Sequence, residues 1–114
     1  MASPELLIRS ILGDVRSSIR PLACAGEIIG ELFFLRHIPL EDIRAQRVYL
    51  SVARRAGLSP AAASRRLQRL SRLCWDRMCE QDLVLPYIGQ PLPRRPDACR
   101  LTGYLVVSAH PRAP

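Results

Sequence analysis

The stretch from Tyr49 to Leu70, YLSVARRAGLSPAAASRRLQRL, decides the fold of this chain. It reads as two helices around a short turn. Val48, Tyr49, Val52, Ala53 and Ala56 fall on one side of a helix spanning Asp42 to Ala56. Gly57 follows, a residue type that takes the left-handed conformation in which many helices end. Leu58 comes next. Ser59 suits an N-cap and Pro60 a first helical residue, so a second helix starts at Pro60 and runs to about Met78. Each residue advances about 100°, which brings Ala63, Leu67, Leu70 and Cys74 within about 60° of one another. The opposite face carries Ala61, Arg65, Gln68, Arg69 and Arg72. Ala53 is small where the two helices would cross, Leu58 would plug the crossing, and Ala63 and Leu67 would pack the second helix on the first. This pattern fits a helix-turn-helix with its core at about residues 45–75.

Charge points the same way. The chain has 114 residues, 48% of them hydrophobic, and a net charge of +7. One domain covering residues 1–114 fits that length, and the apolar content suffices for a core. All 17 basic residues are Arg, which excludes a lysine Schiff base and a lysine-dependent phosphate loop. The window Arg44–Arg77 holds nine Arg and one acid, a net of +8; the rest of the chain holds eight Arg and nine acids, a net of −1. Charge gathered this tightly calls for a polyanion, with nucleic acid the first candidate. Arg is well suited to the task, because its planar fork grips guanine O6 and N7, or a phosphate, with two hydrogen bonds. Arg65 and Arg69 would reach bases or phosphates, and Arg54 and Arg55 would clamp the backbone. Arg66 points nearer the core flank and reads as a snorkelling side chain. Each of these arginines also has a plain reading as a solubilising surface charge.

Outward from this pair the chain stays helical. Leu7, Ile11, Val15 and Ile19 repeat every fourth residue in a helix from Glu5 to Ile19, with Ile8 and Leu12 beside them. A second helix opens near Pro21 and runs to about His37, where Gly26 and Gly30 would permit a close crossing. After Glu80, Leu83, Val84 and Leu85 suit a short helix, but Pro86 begins a Pro-rich loop over 86–96. A last helix covers about 97–109, with Leu101, Tyr104, Leu105 and Ser108 on one side. Val106-Val107 would also suit a strand. Arg94-Arg95 in the loop reads as a solvated pair. The expectation is an all-α domain of about six helices.

Other classes find little support. The cysteines, at 24, 74, 79 and 99, include no CxxC pair, and only His37 and His110 accompany them. Neither a zinc site nor a disulfide framework follows, nor does any cofactor. No serine–histidine–acid set or carboxylate pair marks an enzyme. Pro21–Pro39 is the most apolar stretch, yet it holds Glu27, Glu31 and Arg36, which argues against a membrane span. The N-terminus shows no signal-peptide pattern, so a reduced, cytoplasmic protein is expected.

The run Val48-Tyr49, Val52-Ala53-Arg54-Arg55, Arg65, Leu67 and Trp75 resembles, at the same spacing and without a gap, the C-terminal DNA-binding domain of stage zero sporulation protein A, the sporulation master response regulator. Ile11-Leu12-x-Asp14-Val15 and Glu27-Ile28-Ile29 are similar to that family's first two helices. Tyr87, Gly89 and Pro96 are similar to its last loop and helix. The resemblance implies a compact helical domain that binds promoter DNA in a sequence-specific way, often as head-to-tail pairs. It also implies contact with the sigma subunit of RNA polymerase around Asp82 to Gly89, and pairing of two copies through the last helix.

There are two departures. Ala61 and Ala62 stand where the family reads bases with Ser-Arg, and Gln68 replaces a basic residue while Arg69 adds one. The chain also begins at its own Met, with no room for a phosphoacceptor receiver, so aspartyl-phosphate control is not expected. The candidate DNA-contacting set is Arg54, Arg55, Ser59, Ala61, Ala62, Arg65, Gln68, Arg69 and Arg72. The rival is a protein-interaction module that binds sigma factor or a paralogous regulator with little DNA binding of its own. Membrane-surface binding is more remote, because the basic helix lacks an aromatic-rich apolar face free for insertion.

Overall fold

The computed structural model describes residues 4–13 and 19–109. Among them are six α-helices and no strand: α1 (Pro4–Leu12), α2 (Arg20–Gly30), α3 (Ala45–Ala56), α4 (Pro60–Glu80), α5 (Val84–Ile88) and α6 (Ala98–Ala109). A π-helical turn, Glu31–Leu35, extends α2, and a 3-10 turn, Leu40–Asp42, precedes α3. The all-helical class is as expected. No helix among the described residues is long and apolar enough to cross a membrane.

One apolar cluster joins the helices. Ile8, Ile11 and Leu12 enter it from α1, Leu22, Ile28 and Ile29 from α2, and Val48 and Val52 from α3. Ala63, Leu67, Leu70, Cys74 and Met78 come from α4, and Leu101 and Leu105 from α6. The two central helices are α2 and α6, and α6 packs on all five others. Gly30 faces α6 closely: a Cβ there would lie 3.6 Å from Val106 Cγ1. That is an ordinary van der Waals contact, so a small side chain would fit there and the packing does not itself require glycine.

Several boundaries differ from expectation, each for a local reason. The first helix does not run from Glu5 to Ile19. It stops at Leu12, where Gly13 takes φ +64° and donates its N–H to Arg9 O at 2.8 Å. Val15 lies outside the described residues, and Ile19 instead stands at the head of α2. The second helix stops short of His37: its α-helical part ends at Gly30, and the π turn carries it to Leu35. Arg36 N–H closes the wider ring on Glu31 O at 3.1 Å. The third helix starts at Ala45 rather than Asp42, because Ile43 is extended and buried. Pro86 does not begin a loop. It occupies the first turn of α5, where a missing N–H costs nothing.

The last helix begins as anticipated, with Asp97 Oδ1 accepting from Arg100 N–H at 2.8 Å. Val106 and Val107 are helical, so the strand alternative falls. Burial on α6 is not one-sided: Ala98, Cys99, Leu101, Thr102, Gly103, Leu105 and Val106 are all buried, while Tyr104 and Ser108 are half-buried.

Candidate nucleic-acid interface

The turn between α3 and α4 has three residues, and each has a definite task. Gly57 closes α3 at φ +69°, ψ +35°, a conformation that L side chains adopt only with strain. A Cβ there would meet nothing within 4 Å, so backbone conformation rather than space requires glycine. Leu58 donates its N–H to Ala53 O at 2.9 Å and packs its half-buried side chain against the core. Ser59 turns the chain into α4, and its Oγ accepts from Ala62 N–H at 3.1 Å. The helix entry is thus satisfied by the residue that the sequence marks for it.

From this cap α4 divides cleanly. Ala63 and Cys74 are fully buried, and Leu67 and Leu70 nearly so. Ser71 and Met78 extend the buried side. On the other side Ala61, Arg65, Gln68, Arg69 and Arg72 are exposed, and Ala62 is half-buried. Arg66 is also exposed. Among the described residues, Arg54, Arg65, Arg66 and Arg72 have no acidic side chain within ion-pair distance.

The remaining candidates are more constrained. Arg55 reaches Glu31 Oε2 at 3.3 Å, so part of its charge is already answered by the π turn. Gln68 Nε2 donates to Ser64 Oγ at 2.9 Å, one turn back along α4. Ser59 Oγ spends one lone pair on the cap, leaving its hydroxyl hydrogen and its second lone pair for a partner.

Two concavities flank this surface. A polar cleft of about 320 Å³ lies between α3, α4 and the loop before α6, and both Arg72 and Arg95 line it. Sequence reasoning missed Arg95, because nothing in a Pro-rich loop signals where its side chains return. An apolar groove of about 550 Å³ lies at the far end of α4, lined by Trp75, Leu85, Pro86, Pro91 and Leu92 with Cys79 and Asp82. It spans the segment that the family resemblance links to sigma factor.

The two buried cysteines, Cys74 and Cys99, are poorly suited to thiolate chemistry. All four thiols are free. Burial pushes Cys74 up to about 12, and burial followed by the Asp97 carboxylate pushes Cys99 up to about 11. Both stay protonated at neutral pH, and a protonated thiol is a poor nucleophile or metal ligand. Among the described residues, no group of three His, Cys, Asp or Glu side chains is placed to hold a metal ion.

Comparisons with protein-family models, curated proteins and solved structures find no match. The resemblance drawn from Val48 to Trp75 therefore rests on those residues themselves.

Proposed function

We propose that this protein binds double-stranded DNA in a sequence-specific manner as a transcriptional regulator. In this reading α3 and α4 form a helix-turn-helix, and residues 60–74 of α4 enter the major groove. The observation that carries it is the outer face of α4: Arg65, Gln68, Arg69 and Arg72 stand exposed on the helix that follows a capped, three-residue turn. Base edges and phosphates are rich in acceptors, and this face offers donors. Arg54 supports backbone contact from the end of α3. Arg55 would have to exchange Glu31 for a phosphate. Ala61 and Ala62 present no side-chain donor, so base reading falls to Arg65, Gln68 and Arg69. The family resemblance supplies the biological setting, promoter control of the kind used in sporulation.

The test is a titration of two fluorescent duplexes, one carrying the family's target box and one scrambled, at several salt concentrations. Wild type is compared with Arg65→Ala/Arg69→Ala. A handful of phosphate contacts gives log K against log[salt] a slope of roughly −3 to −5. Steep binding that the double variant loses supports the reading, and preference for the box supports specificity. Absence of tight binding to either duplex overturns it.

A second reading is favoured by the apolar groove at Trp75, Leu85 and Leu92. Leu85 is 58% exposed and lines this groove, so apolar surface stands open there for a partner to cover. A protein partner such as sigma factor would cover it, with a shallow salt dependence. Leu85→Glu would abolish that binding and leave DNA affinity unchanged.

A further inference from the structure

We propose that the cleft between α3, α4 and the Pro-rich loop holds one backbone phosphate of the bound nucleic acid, gripped by Arg72 from α4 and Arg95 from the loop. This inference rests on the DNA-binding reading and adds to it a contact outside the two helices. The argument starts from position. Arg72 lies one turn beyond Arg69 and two beyond Arg65, so the cleft opens at the C-terminal end of the basic face. A duplex lying along that face would place a groove edge, and so a phosphate, at this end.

The chemistry of the cleft fits an anion. Two guanidinium groups line it against one carboxylate, Asp97. That carboxylate is partly spent, because its Oδ1 accepts Arg100 N–H at the head of α6. Tyr49 also lines the cleft and supplies a hydroxyl. Burial first, and then the Asp97 carboxylate, raise its pKa above the ordinary phenol range, so it remains an O–H donor. Gln68 contributes an amide whose second hydrogen is not used by Ser64. The volume of about 320 Å³ admits a phosphate together with bridging waters, each of which needs about 30 Å³.

The loop is suited to holding its arginine in place. Pro93 and Pro96 bracket Arg94-Arg95, and each proline fixes its own φ. A loop already restricted loses less entropy on binding than a free one. Arg94 carries the same charge but does not line the cleft, which makes it the natural control.

The experiment measures binding of a scrambled duplex by fluorescence anisotropy over a range of salt. It compares wild type, Arg72→Ala, Arg95→Ala, Arg72→Ala/Arg95→Ala and Arg94→Ala. Arg72 and Arg95 are both exposed, so their loss leaves the fold in place. The expected result is a salt slope shallower by about 0.9 for Arg95→Ala, the value of one phosphate. The double variant loses no more slope than either single one, because both side chains serve the same phosphate. Arg94→Ala keeps the wild-type slope. If wild type binds DNA and Arg95→Ala keeps its slope, or if Arg94→Ala changes it equally, this inference is overturned and the DNA-binding reading stands. If wild type binds no duplex, both fall.

Discussion

Helices α4 and α6 meet in the same core, yet they divide their surfaces differently. Half of α4 faces inward through Ala63, Leu67, Leu70, Ser71, Cys74 and Met78, while the other half is a row of exposed polar and basic side chains. Almost the whole of α6 is enclosed. It even buries Thr102, whose Oγ1 donates to Ala98 O at 2.7 Å and so avoids an unmet polar group. A helix enclosed on most sides can set stability but has little surface left for a partner. A helix with one closed side and one open side can do both. Pairing of two copies through α6, as the family resemblance implies, would have to work with Arg100, Val107 and the half-buried Tyr104 and Ser108. The open half of α4 has no such restriction.

The largest expected effects test the shared side of this comparison. Leu67 in α4 and Leu101 in α6 are each 1% exposed. Replacing either with Ala leaves a cavity lined by the same core, and each change costs about 2–5 kcal/mol. Urea denaturation should shift to lower midpoints by similar amounts for the two. If Leu67→Ala costs much less than Leu101→Ala, the inner half of α4 is not clamped and the comparison fails.

The next effect comes from two buried thiols, Cys74 on α4 and Cys99 on α6. An unfolded thiol titrates near 9.0, whereas burial moves the folded thiols of Cys74 and Cys99 up to about 12 and about 11. Between those values the unfolded chain gives up protons first, and losing protons favours it. The contribution of these two thiols to stability is therefore complete below pH 9. It drains above that by up to about 1.4 kcal/mol per pH unit for each thiol. The drain from Cys99 ends near pH 11 and that from Cys74 near pH 12. Tyr49 acts in the same direction above pH 10. Denaturation midpoints measured across this range should fall, and Cys74→Ala should start lower but fall less steeply.

The contrast between the helices also explains what was legible in the sequence. The open and closed halves of α4 leave an alternation at 3.6 residues, and Ser59-Pro60 marks its start. Its position, its buried face and its cap could therefore be read directly. In α6 that alternation is blurred, because Gly103, Thr102 and Val106 are buried on sides that a one-faced helix would expose. The candidate surface was legible only in part. Charge counting found Arg65, Arg69 and Arg72, since their placement depends on the helix alone. It could not foresee that Arg55 would lean on Glu31 or that Arg95 would return to the cleft, because both depend on tertiary folding across distant segments. Gly13 is a stop signal that periodicity overrode. Pro86 is a loop signal that its place in a first turn silenced.

The smallest expected effect on stability tests the open half of α4. Arg65 has no acidic neighbour within ion-pair distance among the described residues, and its side chain lies in solvent. Arg65→Ala removes one of nine arginines from a window whose net charge is +8, which lowers self-repulsion. Alanine also has slightly the better helix propensity. The change should therefore alter stability by no more than about 0.5 kcal/mol, with a small gain expected. Arg55→Ala, which gives up an ion pair exposed at both ends, should lose about 0–1 kcal/mol. Denaturant midpoints would rank the two. A loss at Arg65 larger than that at Arg55 would mean that the open half of α4 contributes to the fold after all. A gain at Arg65, accompanied by weaker DNA binding, would mean the opposite. Folding would then run slightly against the charge on this face, and a polyanion bound to it would turn that charge to advantage.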